Sequence, residues 1–354
     1  MSVYVYTRKI FVRRRIVKKV LMIIMVLSIL CGITLIADGQ KEKGAEKIVI
    51  KLGHDNNVQT PGHKAFLEFK KIVEEESQGQ IEVQVFPGGQ LGSVQDMFEQ
   101  ARRGDIQMSV TATTLFTQTI PEFAIWDSFY MFDDATHAHR VLDGKAGIEL
   151  MKPLESMNLV GLGYMEIGFR NFSNRKNPIM KPEDVKGLKI RGWGPIQIAA
   201  WESVGCVLTS LSWSEVFTSL QQNLIDGQEC ATSSFYYAKF YEAQKYWSLT
   251  KHVYTNWLWY ANKDFMDGLS AEHRSLIEEA AKKTIRLDRE LIAASEKEIL
   301  DKLPGLGIEV NEVPLEARRA MGEIMNGAVK NQIVEKCGID IYNFVMAEIE
   351  AERK

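Results

Sequence analysis

The pattern of apolar and polar positions in the first third of the chain predicts strands that alternate with helices. Residues 48–53 form an apolar run that ends at a glycine, and residues 81–86 alternate strictly between apolar and polar side chains, which is typical of strands. The order β-α-β-α-β predicts a parallel sheet covered by helices. The predicted elements are strand 48–53, helix 61–76, strand 81–86, helix 94–104 and strand 106–110.

A second region with the same character follows. Segments 159–165 and 188–191 have the pattern of strands, and segments 196–204 and 213–223 have the pattern of helices. Two sheet-forming regions in one chain predict two lobes with a cleft between them. Residues 270–302 then form a charged helical pattern without glycine or proline, longer than the usual length of roughly 8–20 residues. Such a helix is expected to pack across more than one unit.

The N-terminal segment 1–39 differs from the rest of the chain. Seven basic residues and no acid precede Asp38, and an apolar run occupies residues 20–37. A positive region followed by an apolar region is typical of a secretory signal peptide. The small residues at positions 37 and 39 predict cleavage before Gln40, and hence a periplasmic protein.

Two other fates of this segment stay open. A lipoprotein site at Cys31 would tether the protein to a membrane, and the apolar run is also long enough to be retained as an uncleaved anchor. The basic region is unusually long, and a start near Val17 would leave a typical signal.

The charge balance argues against nucleic acid as a partner. Without residues 1–39 the chain has 36 basic and 45 acidic residues, a net charge near −9. No basic surface is therefore expected for a nucleic-acid backbone. An anionic ligand would need positive charge placed locally.

Motifs for cofactors, metals or covalent catalysis are missing from the sequence. The three cysteines beyond the N-terminal segment have no metal-binding spacing, and a disulfide among them stays an open question. No nucleophile motif of the form G-x-S-x-G and no H-E-x-x-H motif occurs, so we expect no cofactor, no metal and no enzyme activity. A secreted hydrolase or lyase is the disfavoured alternative. The three cysteines are Cys206, Cys230 and Cys337.

The stretch KGLKIRGW, residues 186–193, offers a candidate for anion binding. Apolar and polar residues alternate to Arg191, and Gly192 and Trp193 follow at once. A guanidinium at a strand end presents a planar fork that can make two parallel hydrogen bonds to a carboxylate. A structural salt bridge is the other explanation for the arginine.

Several segments together carry a resemblance to a known family. The chain resembles the DctP-like extracytoplasmic solute-binding proteins of TRAP (tripartite ATP-independent periplasmic) transporters over roughly residues 46–345. The combination of QLG, GLKIR and DGQE in this order is specific, although each is weak alone. The matching segments are IVIKLGHDN, SQGQIEVQVFPGGQLGSVQDMFEQARRGDIQM, MKPEDVKGLKIRGW, WSEVFTSLQQNLIDGQE and FYEAQKYWSLTKH.

The resemblance implies an α/β fold of the two-lobed periplasmic-binding-protein type (type II-like), with a cleft between the lobes. One lobe would comprise residues 46–167 and 256–295, and the other residues 168–255 and 296–354. The long helix at 270–302 would span both lobes.

The function implied is that of a periplasmic receptor that binds a small organic acid and delivers it to the membrane permease of a TRAP transporter. The ligand would be a sugar acid, a C4-dicarboxylate or an oxo acid, and we expect a monomer. A receptor of the same fold that serves a sensor protein is the alternative, because its binding chemistry would be identical.

The resemblance also implies roles for individual residues. Arg191 matches the family arginine that pairs with the ligand's carboxylate, and Arg170 matches a second arginine seen in many relatives. Trp213 matches a position that is often aromatic and packs on the ligand. An ion pair for Arg170 and a place in the core for Trp213 are the structural alternatives.

Two further positions bear on the choice of ligand. The family motif usually reads DGQEN, whereas Cys230 replaces the asparagine here, and a thiol cannot reproduce an amide's donor and acceptor. Asp55, after the first strand, would accept hydrogen bonds from hydroxyls and repel a second carboxylate, or would cap a turn. Both residues favour a monocarboxylate with hydroxyls. Trp257 and Trp259 are expected to be mainly core residues.

Overall fold

The computed structural model describes residues 47–353. The predicted signal peptide 1–39, the cleavage site before Gln40 and the lipidation site at Cys31 lie outside the described residues. Residues from Val49 onward form one compact unit, and no helix within the described range is long and apolar enough to cross a membrane.

Ten strands of the described chain form a continuous network with the order β2-β1-β3-β9-β4-β7-β5-β6; β8 pairs with β4, and β10 pairs with β8. β1 and β3 run parallel, as predicted, but β9 pairs antiparallel with both β3 and β4, so the sheet is mixed. The strands are β1 (Ile48–Gly53), β2 (Ile81–Phe86), β3 (Met108–Ala112), β4 (Leu159–Asn174), β5 (Lys189–Gly192), β6 (Val207–Ser210), β7 (Gly227–Ala231), β8 (Tyr246–Leu249), β9 (Tyr254–Asn262) and β10 (Glu309–Glu312).

Strand β4 joins two parts of the sheet. Its residues 159–169 pair with β9, whereas residues 170–174 pair with β7 and β8. The predicted strand at 159–165 is therefore correct but too short. The missed half is rich in polar residues, and its hydrogen-bonding partners are distant in sequence. The register of β4 against β9 shifts between Glu166 and Gly168, close to the change of partner.

Eleven α-helices occur in the described chain, several of them capped by residues the sequence supplies. Ser93 accepts from the Asp96 amide, and Ser270 accepts from the His273 amide. The helices are α1 (Pro61–Glu76), α2 (Val94–Arg103), α3 (Ala135–Asp143), α4 (Lys145–Met151), α5 (Pro195–Ser203), α6 (Trp213–Gln221), α7 (Thr232–Tyr237), α8 (Lys263–Asp267), α9 (Ala271–Lys302), α10 (Leu315–Cys337) and α11 (Ile339–Ala351).

Helix α9 connects the two parts of the sheet, as the long helical pattern predicts. It packs against α1 and β4 along its length and also against α7. Ile299 near its end belongs to a hydrophobic cluster with Val216, Phe235 and Trp247. Trp257 and Trp259 on β9 are buried, and Phe66 of α1 meets the Trp259 ring edge-on at 5.1 Å, so both tryptophans are core residues as expected.

Candidate ligand-binding cleft

A cavity of about 340 Å³ lies where β4 changes partners. Residues after β1, the start of α1, both parts of β4 and the start of α7 contribute to its walls. This volume is at the lower end of the range typical of small-molecule sites. The structure brings all five candidate residues into its lining: Asp55, Arg170, Arg191, Trp213 and Cys230.

Arg170, on β4, is held by Glu229 on the neighbouring strand β7. Its Nε and Nη2 atoms donate to the two carboxylate oxygens of Glu229, and Nη2 also donates to the Glu229 carbonyl at 2.7 Å. The arginine is only 8% exposed. Arg170 therefore forms an ion pair, which was its structural alternative, and its side chain also lines the cavity.

Glu229 is the centre of a wider buried network. Trp193 Nε1 donates to Oε1 at 2.6 Å, and His252 Nε2 lies 2.9 Å from Oε2. Burial opposes ionisation of this carboxyl, but Arg170 and His252 outweigh that effect and lower its pKa to about 2. Trp193 also lies against the guanidinium of Arg170, whose central carbon is 4.9 Å from the ring centroid. Arg170 therefore brings little net charge to the cavity.

Arg191 has a different environment. Its Nε donates to the Leu211 carbonyl at 3.0 Å, which fixes the guanidinium, and within the described chain no carboxylate pairs with it. Burial and, to a smaller extent, the charge of Arg170 lower its pKa to about 10, so Arg191 remains a cation at neutral pH. Its two terminal nitrogens have no hydrogen-bond partner among the described residues. Arg191 is thus a desolvated cation with its donors available.

The local sequence explains how Arg191 is placed. Strand β5 ends at Gly192, one residue beyond the predicted end, and pairs in parallel with both β6 and β7. A Cβ atom at Gly192 would lie 2.7 Å from the side chain of Ile198, so glycine lets helix α5 pack close to the strand end. The arginine therefore stands on a rigid support, which lowers the entropic cost of binding.

Trp213 begins helix α6 and lies under Arg191. The guanidinium carbon of Arg191 is 5.4 Å from its ring centroid, within cation–π range. The side chain is 42% exposed, so Trp213 is not a core residue, which was the structural alternative. Glu215 accepts from the Ser212 amide at 2.9 Å and caps the helix, in agreement with the predicted start.

Cys230 is buried on β7, next to Glu229. Burial raises the pKa of its thiol to about 12, so it is uncharged at neutral pH. Cys206 and Cys337 are also buried, and the structure shows all three thiols unpaired. Cys230 therefore contributes a small, weakly polar surface to the cavity.

Asp55 follows β1 and is open to solvent inside the cleft. The surrounding protein removes part of its hydration, which raises the pKa of its carboxyl. The turn-capping role considered for Asp55 is performed by Asn57, whose Oδ1 accepts from the Gln59 amide at 2.9 Å.

A second carboxylate, that of Glu166 on β4, lines the cavity and was not predicted. The residue is 6% exposed, and its Oε2 lies 2.8 Å from His139 Nε2. Behind it, Asp288 of α9 accepts from the Glu166 amide at 2.7 Å. Burial, together with the nearby charge of Glu166, raises the pKa of Asp288 to about 8.

Sequence reasoning missed Glu166 and Glu229 as parts of the site. The EIGFR and DGQE segments contain both acids, but their roles depend on partners 59 residues away for Glu229 and 122 for Glu166. Trp193 was expected beside Arg191 at the strand end, but its hydrogen bond to Glu229 on the neighbouring strand was not predicted.

Comparisons with known proteins match this architecture. The family model for bacterial extracellular solute-binding proteins, family 7 (DctP), matches residues 52–336. The 2,3-diketo-L-gulonate-binding periplasmic protein YiaO of Escherichia coli is 32% identical over 287 residues, 81% of this chain and 87% of its own length.

Two solved structures share the fold. The sugar acid binding protein DctPAm from Advenella mimigardefordensis, in complex with galactonate, matches with a TM-score of 0.81 and 28% identity over 87% of this chain and 99% of its own. A TRAP periplasmic solute-binding protein from Sulfurospirillum deleyianum with bound succinate matches with a TM-score of 0.77 and 28% identity over 85% and 99%. The chain therefore belongs to family 7 of the bacterial extracellular solute-binding proteins, the DctP-like receptors of TRAP transporters, and has their two-lobed fold.

Proposed function

We propose that this protein is a periplasmic receptor that captures a small organic acid in the cleft and delivers it to the membrane subunits of a TRAP transporter. The observation that carries the proposal is the state of Arg191, a fixed and desolvated cation without a carboxylate partner in the described chain. A charge that is partly removed from water and has no partner is costly, and a ligand carboxylate would supply the missing partner.

The geometry around Arg191 favours a carboxylate over other anions. Nε is occupied by the Leu211 carbonyl, which leaves the two terminal nitrogens as a fork with the spacing of two carboxylate oxygens. The Trp213 ring supports the guanidinium and offers a flat apolar surface to the carbon chain of the ligand.

Arg170 plays a supporting part in this proposal. Glu229 neutralises its charge, and its Nη1 has only a long contact of 3.5 Å to Thr255 Oγ1. Nη1 is therefore free to donate one hydrogen bond to the ligand. We assign Arg170 an orienting role and Arg191 the charge-pairing role.

The course of β4 supports one of the lobe boundaries expected from the sequence, the boundary between residues 167 and 168. Residues 46–167 with 256–295 would form one lobe, and residues 168–255 with 296–354 the other. β4 changes its partner strand at residues 169–170, and Gly168 has a positive φ of 105° next to the register shift. A hinge at this point would let the lobes close on the ligand and hold it from both sides.

A thermal-shift screen tests the proposal. The protein from residue 40 onward is heated with organic acids and with their neutral counterparts, such as galactonate beside galactitol, and pyruvate among the oxo acids. An acid present at about 100 times its Kd should add about 2.7 kcal/mol to the free energy of unfolding, whereas the neutral counterpart should add nothing. Stabilisation by neutral compounds alone would contradict the proposal.

A further inference from the structure

The cleft is polarised along the sheet. Arg191 is on β5, whereas Asp55 follows β1 and Glu166 lies in the part of β4 that pairs with β9. In the strand order, β3, β9, β4 and β7 separate the strand of Asp55 from that of Arg191. The cationic donor and the two carboxylates therefore occupy different ends of the cavity, and Arg170 between them is neutralised by Glu229.

Glu166 is built into its position. His139 holds Oε2 at 2.8 Å, and the backbone amide of Glu166 is fixed by Asp288. Asp288 is completely buried, and its other oxygen has no partner in the described structure. A carboxylate held this rigidly cannot swing away from an incoming negative charge.

Neutral polar side chains also line the cavity. Asn56 and Asn57 directly follow Asp55 in the chain, and Thr114, Ser233 and Ser234 are further members of the lining. Amides and hydroxyls both donate and accept hydrogen bonds, which suits a ligand that does the same. An ammonium group only donates, and a second carboxylate only accepts.

We propose that Glu166 is a specificity-determining residue that reserves the far end of the cleft for hydroxyl groups, so that the solute is a monocarboxylic acid with several hydroxyls, such as an aldonic acid, and not a dicarboxylic acid. This inference rests on the proposed function, because it requires the ligand's single carboxylate to bind at Arg191. It also distinguishes between the two ligand classes, sugar acid and dicarboxylate, found in the structurally similar proteins.

Matched pairs of acids test the ligand class by titration calorimetry. The probes are galactonate with galactarate, gluconate with glucarate and erythronate with meso-tartrate, in which a terminal hydroxymethyl group is replaced by a carboxylate; succinate and 4-aminobutyrate complete the set. We expect at least one monocarboxylate to bind, with its paired dicarboxylate weaker by about tenfold or more, since like charges in an interface are strongly disfavoured. A dicarboxylate that binds as tightly as its partner would overturn the inference.

The remaining outcomes separate this inference from the proposed function. Binding of succinate or 4-aminobutyrate in preference to every aldonate would overturn the hydroxyl assignment but leave the acid receptor intact. If no acid binds at all, both fail.

Substitution at Glu166 tests the residue itself. Glu166→Gln keeps the size and the contact to His139 but removes the charge, so the preference for the monocarboxylate over its paired dicarboxylate should fall by about tenfold. The control Glu202→Gln makes the same charge change at an exposed site outside the cavity and should leave the preference unchanged. An unchanged preference in Glu166→Gln would remove Glu166 as the determinant. If Glu166→Gln does not fold, Asp55→Asn at an exposed position in the same cavity replaces it. This variant should also lower the preference for the monocarboxylate. An unchanged preference would contradict the claim that the carboxylates of Asp55 and Glu166 exclude a second ligand carboxylate.

Discussion

Arg170 and Arg191 lie two strands apart in the same cleft, but their environments are opposite. The Nε and Nη2 atoms of Arg170 donate to the carboxylate of Glu229. That carboxylate also accepts a hydrogen bond from Trp193 and lies 2.9 Å from His252 Nε2. Arg191 makes one hydrogen bond, to a backbone carbonyl. The first arginine stabilises the protein, and we propose that the second binds the ligand.

The difference shows that an arginine in the sequence does not by itself supply a net positive charge to a binding site. The family resemblance predicts a ligand-binding role for both arginines, and both line the cavity. Only the position of a carboxylate on the adjacent strand decides which of them is free. A ligand-binding cation must be left without an internal partner, and that costs stability which the ligand restores on binding.

The largest expected effect comes from removing the partner of Arg170. Glu229→Ala leaves a buried guanidinium unpaired and should lower the free energy of unfolding by about 3–5 kcal/mol. Chemical denaturation measures the loss, and Glu202→Ala at an exposed position should change it by no more than about 0.5 kcal/mol. Equal losses in the two variants would show that the Arg170–Glu229 pair is not structural.

A second contrast concerns two buried carboxyls. Glu229 has basic partners and a lowered pKa, whereas burial without such a partner raises the pKa of Asp288 to about 8 despite the opposing charge of Arg289. Because the folded state holds this proton more tightly than the unfolded state, Asp288 should reduce stability as the pH rises from about 4 to about 8.

Asp288→Asn removes this titration and should leave the other charged groups nearby, Glu166 and Arg289, in place. Relative to the parent, the variant should therefore be more stable at pH 8 than at pH 5 by about 3–4 kcal/mol, since each unit of pKa difference corresponds to 1.36 kcal/mol. Melting curves at the two pH values provide the test. A stability difference that does not grow with pH would contradict the raised pKa of Asp288.

The two tryptophans should differ in the same way as the two arginines. Trp193→Phe removes the donor to Glu229 Oε1 and should cost about 1–2 kcal/mol of stability, because a buried charged acceptor loses a hydrogen bond. Trp213→Phe keeps a ring under Arg191 and should change stability by less than about 0.5 kcal/mol, at an exposed position. Thermal melting of both variants measures the two losses of stability. A larger loss in Trp213→Phe than in Trp193→Phe would contradict this expectation.

The elements predicted best are those set by local patterns. Helix α1 matches the predicted helix 61–76, because its apolar stripe and Pro61 define it without reference to the rest of the chain. The second half of β4 and the strand β8 were missed, because residues such as Ser173 and Asn174 are strand residues only through their tertiary partners. The antiparallel insertion of β9 also depends on long-range pairing.

The site shows the same division. Arg191, Arg170 and Trp213, which the family resemblance singled out from motif positions, line one cavity, and their ligand-binding roles stay a prediction. It did not reveal that Glu229 neutralises Arg170 or that Glu166 faces the same space. Those facts depend on which side chains approach each other across strands, which a single sequence does not record.

The most direct test of the central claim compares Arg191→Ala and Arg170→Ala in one experiment. Melting temperature without ligand and affinity for a bound acid are measured for both variants and the parent. We predict that Arg191→Ala keeps or raises the melting temperature without ligand and loses about 2–5 kcal/mol of binding free energy, whereas Arg170→Ala loses stability even without ligand. Binding of the acid by Arg191→Ala with the affinity of the parent would contradict the account.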